Sequence, residues 1–275
     1  MTILNIAAYK FVDLHDLADL RAHLRERAFA QSLRGTILLA PEGINLFLAG
    51  EPAMLESFLS ELQADERFAD MPIKRSYSTE QPFNRMLVKL KREIITMNRP
   101  EVRPAQHPAP RLVPQELKRW LDEGRDVVLI DTRNRFEVDL GTFKNAKEFG
   151  LVSFSEFPEA IAQHAEEWRD KTIVTFCTGG IRCEKAAPLM IEAGFKDVYQ
   201  LDGGILKYFE ECGDAHYEGE CFVFDKRVAL DGELQETPTT QCYACQEVVT
   251  PEEQRSPRYK LGECCPKCYP RQRAA

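Results

Sequence analysis

The sequence predicts an α/β protein in three parts. Three observations carry that prediction: a strand and helix alternation in the first hundred residues, a second alternation beyond a proline-rich break, and paired cysteines near the end. The first part has the βαββαβ order of a ferredoxin-like α+β domain (residues 1–98). A linker over 99–112 leads to a parallel-sheet α/β domain (113–213) and then to a cysteine-rich region with zinc-ribbon-like spacing (214–275).

In the first part "ILNIAAY" reads as a strand and Asp13 to Ala30 as a helix, before the strands "GTILLA" and "INLFLAG" separated by "PEG". A second helix begins near Pro52, with Met54, Leu55, Phe58, Leu59 and Leu62 at helical spacing, and strands follow near "IKRSYS" and "MLVKLKREIITM". "NRPEVRPAQHPAPRLVP" has five prolines in seventeen residues and no apolar period, which predicts an extended linker. Beyond it, "VPQELKRWLDEG" is a helix ending at Gly124, and "DVVLIDTR" and "KTIVTFC" are buried strands, the latter leading into a helix from Arg182. "KDVYQLDGG" adds a strand and a Gly-Gly turn, and after Gly213 the pattern becomes irregular.

A chain of 275 residues can bury more than one core. No run approaches the roughly 18 apolar residues of a membrane span, and the start lacks the features of a signal peptide. The expectation is a cytoplasmic protein with no membrane partner, its nine cysteines reduced. The net charge is −8, unevenly spread: residues 74–111 hold nine basic against three acidic side chains, and residues 255–275 six against one. Either segment suits a solvated linker and tail, or phosphate contacts. Lys89, Lys91, Arg92, Arg99 and Arg103 are the candidate RNA-binding residues of the first, and the tail from Arg255 to Arg273 is a second candidate.

"TFCTGGIRCEKA" places Cys177 at the carboxyl end of a parallel strand and at the mouth of the next helix, where α/β sheets bind ligands. Gly179 and Gly180 let the chain curl so that its amides point inward as an anion-binding nest of Thr178, Gly179, Gly180 and Ile181, and Arg182 supplies a fixed positive charge at the rim. Such a setting favours a thiolate, a persulfide or a bound oxyanion at Cys177. Cys183, next to the arginine, is either packed at the helix start or a second thiol that resolves an oxidised or persulfidated Cys177.

"CTGGIR" resembles the six-residue active-site loop of a rhodanese domain. "LIDTRNRFEVDLGTFKNA" and "GFKDVYQLDGGI" are similar to that family's Asp-x-Arg, Glu and Gly-x-Phe signature and to its closing strand and turn, so the central domain resembles a rhodanese over about residues 113–213. Phosphatases of related fold have one residue more between Cys and Arg; the shorter loop implies sulfur or a small anion. Together "GTILLAPEGIN", "CTGGIRCEKA" and "GECFVFDKRV" resemble the rhodanese-containing bacterial tRNA uridine hydroxylases over nearly the whole chain. That resemblance implies hydroxylation of the wobble uridine to 5-hydroxyuridine in the anticodon loop of tRNA, with molecular oxygen as co-substrate and Cys177 as the persulfide-forming cysteine.

"CYAC" and "CCPKC" form two Cys-x-x-Cys knuckles, Cys242/Cys245 and Cys265/Cys268, nineteen residues apart. Two knuckles complete a tetrahedral site, with zinc the expected metal and a structural role, since four thiolates leave no open position. Cys264 is a spare or the ligand in place of Cys265. Cys212 and Cys221 have no partner at useful spacing, and "CFVF" reads as a strand. No flavin or nicotinamide motif is present, and His15, His23, His107, His164 and His216 show no metal-ligand spacing.

Three functions follow from these residues. The first is the tRNA hydroxylase, acting on a base splayed from a single-stranded loop. Another is a sulfurtransferase that takes sulfur from a small-molecule donor through a Cys177 persulfide, and the third is a non-catalytic adaptor that binds RNA or protein.

Overall fold

In the computed structural model, which describes residues 2–269, strand β1 (Ile3–Phe11) lies inside a five-stranded sheet and is followed by helix α1 (Leu17–Ala30). Strands β2 (Arg34–Ala40) and β3 (Gly43–Gly50), helix α2 (Pro52–Gln63) and strand β4 (Ile73–Ser78) complete the expected βαββαβ order. Strand β5 (Met86–Leu90) adds to the edge, parallel to β2, so the sheet runs β4-β1-β3-β2-β5. Leu4, Ile6 and Ala8 share one face of β1 and Ile44, Leu46 and Leu48 one face of β3, and all six are buried, β3 being covered along almost its whole length. They form one core with Leu20, Leu24 and Ala28 of α1 and with Leu55, Phe58, Leu59 and Leu62 of α2. Glu51 caps α2 by accepting the Met54 N–H, and Pro52 occupies the first turn, where no N–H is needed.

Two boundaries differ from the sequence expectation, and the "PEG" turn explains both. Helix α1 starts at Leu17 rather than Asp13, because the amides of Val12 and Leu14 donate to the carbonyls of Glu42 and Pro41. Strand β5 stops at Leu90 because the following backbone is held by side chains. Ile94 N–H donates to the Glu42 carboxylate at 2.7 Å, Asn45 donates to the Ile94 carbonyl, and the amides of Met97 and Asn98 donate to Glu93. The stretch over 99–112 is likewise not extended throughout. Turns close from Val102 to Arg99 and from Gln106 and His107 to Arg103, and Arg111–Leu112 form strand β6.

The chain divides into two compact units, Met1–Pro108 and Ala109–Ala275. In the second unit β6 is followed by α3 (Pro114–Asp122), β7 (Val127–Asp131), α4 (Arg135–Val138) and β8 (Gly141–Phe143). Then come α5 (Phe157–Ala162), α6 (Ala165–Trp168), β9 (Thr172–Phe176), α7 (Cys183–Glu192), β10 (Asp197–Leu201) and α8 (Gly204–Cys212). The sheet order is β6-β10-β9-β7 with every pair parallel. Ile173 to Phe176 of β9 are all buried, the continuous pattern of a strand covered on both faces. After Gly213 the chain makes β11 (Tyr217–Gly219), which pairs with β8, and then the short hairpins β12 (Cys221–Phe222) with β13 (Ala229–Leu230) and β14 (Thr240–Gln241) with β15 (Val248–Val249). Only Cys221 and Phe222 of "CFVF" are strand. Among the described residues no helix is long and apolar enough to cross a membrane.

Gly43 carries the turn that sets those first-unit boundaries. Its φ is +148°, and a Cβ there would fall 2.1 Å from the Lys10 carbonyl oxygen. Gly43→Ala is therefore expected to lower stability by about 1–3 kcal/mol, read as a lower urea midpoint with unchanged slope.

Candidate active site

Cys177 follows the last residue of β9, the strand that lies between β10 and β7, so the sheet fixes its position. The loop from Cys177 to Arg182 then turns back into α7. Gly180, at φ +100°, aims its N–H at the Cys177 sulfur at 3.1 Å, and the Arg182 backbone N–H bonds the same sulfur. From behind, the first turn of α8 clamps the loop: Ile205 N–H donates to the Cys177 carbonyl at 2.9 Å and Leu206 N–H to that of Thr178 at 3.1 Å. Gly204 makes this approach possible. Its φ is +65°, and a Cβ would meet the Cys177 carbonyl oxygen at 2.4 Å and the Gly180 nitrogen at 2.8 Å.

Of the remaining nest residues, Thr178 is buried and donates its hydroxyl to the Phe222 carbonyl at 3.4 Å, while Gly179 and Ile181 are half-buried. A Cβ built on Gly179 would meet nothing within 4 Å, which marks the open side of the loop.

Cys177 is only 1% exposed, and burial by itself pushes its thiol up. The hydrogen bond from Cys183, the positive charge of Arg182 and the two backbone N–H groups outweigh that cost and bring it down to about 6. Cys183 is driven well above the ordinary cysteine value, first by burial and then by its charged neighbour. The pair is therefore one thiolate and one thiol, with Cys183 donating to Cys177, and Thr132 Oγ1 lies 3.8 Å from the Cys183 sulfur. Both cysteines are free.

Arg182 is placed differently from the sequence expectation. Instead of standing at the rim it is buried, and both terminal nitrogens donate to the Glu137 carboxylate at 2.8 and 2.9 Å. The physical reason is that a desolvated guanidinium needs an anionic partner, and Glu137, itself fully buried, supplies one. Glu137 is held by the Asn134 N–H at 3.0 Å, and an arginine–aspartate pair, Arg133 and Asp131, is fully buried beside it. Arg133 also reaches the carbonyls of Gly141 and Glu137. Residue-by-residue reading gave Glu137 no role; the Asn-x-x-Glu spacing of a helix start was the signal available.

The four knuckle thiols converge. The sulfurs of Cys242, Cys245, Cys265 and Cys268 all lie within 4.8 Å of one another, and the hairpin β14–β15 carries the first knuckle. Cys242 is 3.8 Å from Cys268, Cys245 is 3.6 Å from Cys265, and Cys265 is 3.8 Å from Cys268. A tetrahedron of sulfurs about 2.3 Å from a central ion has edges of about 3.8 Å, so this donor set fits a four-coordinate metal. Cys264 points away, to the Arg258 carbonyl, and leaves Cys265 as the fourth member. Cys221 is buried with its thiol pushed up to about 12, chiefly by burial; it sits in the apolar core with Cys212 packed against that core, and among the described residues neither belongs to a metal-ligand group.

Among the candidate RNA-binding residues, Lys89, Lys91, Arg92 and Arg103 are exposed, whereas Arg99 is half-buried and donates to the Asn98 carbonyl. All five belong to the Met1–Pro108 unit. In the basic tail, Arg271 and Arg273 lie outside the described residues.

Two outcomes follow from the site's electrostatics and sulfur geometry. Alkylation of Cys177 against pH should show a half-maximal rate near pH 6, falling as the thiolate is protonated below it. Cys183→Ala removes a donor and moves the profile to higher pH; Cys183→Ser retains a donor and leaves it close to the parent's. Metal analysis should find Cys265→Ser depleted by about one equivalent and Cys264→Ser unchanged.

Residues 3–94 match the UPF0176 acylphosphatase like domain and residues 113–211 the rhodanese-like domain. Over 273 residues the chain is 58% identical to the tRNA uridine(34) hydroxylase of Cupriavidus necator, covering 98% of this chain and 97% of that one. It is 55% identical over 280 residues to the protein of the same name from Ralstonia nicotianae, covering 100% and 99%. With that of Paraburkholderia xenovorans the identity is 54% over 284 residues, again covering 100% and 99%. With both domains in order and identity above half along its whole length, the chain belongs to the tRNA uridine(34) hydroxylase family.

Proposed function

We propose that this protein hydroxylates uridine 34, the wobble base of tRNA, to 5-hydroxyuridine, with Cys177 as the reacting group. The observation that carries the proposal is the coincidence of near-full-length identity to tRNA uridine(34) hydroxylases with a buried thiolate–thiol pair at a strand end. Gly180 N–H and Arg182 stabilise negative charge on the Cys177 sulfur, while Thr178, Gly179 and Ile181 shape the loop around it. Molecular oxygen is the proposed co-substrate. One of its atoms enters the base and the other leaves as water, a balance that needs two electrons and two protons. The Cys177 thiolate and the Cys183 thiol supply the two electrons and one of the protons by closing to a disulfide, and solvent supplies the second proton; a sulfenate on Cys177 carries the second oxygen until Cys183 resolves it and that oxygen leaves as water.

The four knuckle cysteines hold zinc in this proposal, and its contribution is to fold the C-terminal segment. Lys89, Lys91, Arg92, Arg99 and Arg103 contact phosphates around the anticodon loop, in the cytoplasm where tRNA is modified. The same sulfur cradle suits a persulfide, since Gly180 N–H would support an outer sulfur as it does a thiolate. That favours a second reading, a sulfurtransferase fed by a small-molecule donor.

Nucleoside analysis of tRNA separates these readings in cells lacking the protein, complemented by the parent, Cys177→Ala or Cys183→Ser. The hydroxylase reading expects 5-hydroxyuridine derivatives to vanish in the deletion and in both variants. A lesion in thiolated nucleosides that only Cys177→Ala reproduces would overturn it in favour of sulfur transfer, and rescue by both variants would leave a binding role alone.

A further inference from the structure

Phe224 follows hairpin strand β12 and is the one large aromatic of "GECFVFDKRV" left in solvent, at 49% exposure. Two neighbours touch its ring. The ring meets Phe222 edge to face at 5.1 Å, and Phe222 meets Phe136 in the same way at 5.1 Å. The Arg182 guanidinium carbon lies 5.8 Å from its centroid. The turn that follows is locked by Arg227, whose backbone N–H and guanidinium bond Asp225 at 3.0, 2.9 and 2.6 Å, and by Val223 N–H to the Val228 carbonyl at 2.8 Å. The hairpin is also tied to the active loop, because the Phe222 carbonyl accepts the Thr178 hydroxyl. Lys226, exposed, sits two residues further on.

We propose that Phe224 is the platform on which uridine 34 stacks as it is presented to the Cys177 loop, with Lys226 taking the adjoining phosphate; this rests on the tRNA hydroxylase reading. A base drawn out of the anticodon stack loses its neighbours' π-faces, and an aromatic ring at the enzyme surface returns that interaction. A rigid ring returns it at low ordering cost, and here the side chain is already fixed by Phe222, Arg182 and the locked turn. The placement is also specific. The ring neighbours the guanidinium that stabilises the Cys177 thiolate, and the Phe222 carbonyl beside it accepts the Thr178 hydroxyl of the same loop, so a base stacked against Phe224 is held next to the active loop. A ring serving only as a cover for Arg182 would affect Cys177 reactivity but would take no part in recognising a base.

The test uses full-length protein and an anticodon stem-loop RNA carrying uridine 34, paired with one carrying an abasic site at that position. In Phe224→Trp the added indole fluorescence should be quenched by the uridine stem-loop and little affected by the abasic one. Phe224→Ala should bind the uridine stem-loop roughly ten- to hundredfold more weakly and should no longer distinguish the two RNAs. Equal quenching by both, or undiminished discrimination by Phe224→Ala, overturns the platform. Conversion of uridine 34 by the parent on the same RNA is read separately. Conversion without the stacking pattern removes the platform alone, the pattern without conversion removes the hydroxylase reading alone, and no binding of either stem-loop or of intact tRNA removes both.

Discussion

A thiolate in a protein interior survives only where donors and a cation are fixed around it before it ionises, since desolvation alone raises a cysteine's pKa. In this chain the fixed partners are two backbone amides, one arginine and one neighbouring thiol, and they outweigh nearly complete burial of Cys177. The arginine is in turn possible only because Glu137 accompanies it into the interior. Each member of the chain Asn134, Glu137, Arg182, Cys177 makes the next one affordable in low dielectric. Removing an inner member therefore leaves an unpaired buried charge, a far larger disturbance than the loss of one contact.

The fold supplies these partners from separate elements. Strand β9 delivers the sulfur, α7 begins with the second thiol, α4 delivers the glutamate, and α8 presses its first amides on the loop carbonyls. Parallel topology brings them together because every strand of the sheet ends on the same side. The thiolate's environment is thus assembled from positions roughly forty residues apart in sequence on one side (Glu137) and twenty-odd on the other (Gly204).

Much of this was legible from the amino acids alone. The βαββαβ order, the strand that ends at Cys177, the glycine loop and the two knuckles all follow from local periodicity and spacing, which are properties of adjacent residues. The choice between Cys264 and Cys265 was not, because adjacent cysteines have the same spacing to their partners and only the turn geometry separates them. Arg182 was expected at the rim since charge is exposed by default; its burial depends on Glu137, forty-five residues away. The start of α1 and the end of β5 were missed for a similar reason. Glu42, a residue in neither element, takes hydrogen bonds from backbone that its own sequence would have left to helix or ladder.

The contact between Gly204 and the loop has a wider consequence. With its α-carbon packed against the Cys177 carbonyl and the Gly180 nitrogen, helix α8 forms a back wall to the loop, which is left open on the Gly179 side. An added loop residue would therefore find room on the Gly179 side alone, because towards α8 it would displace the Ile205 and Leu206 amides from the loop carbonyls.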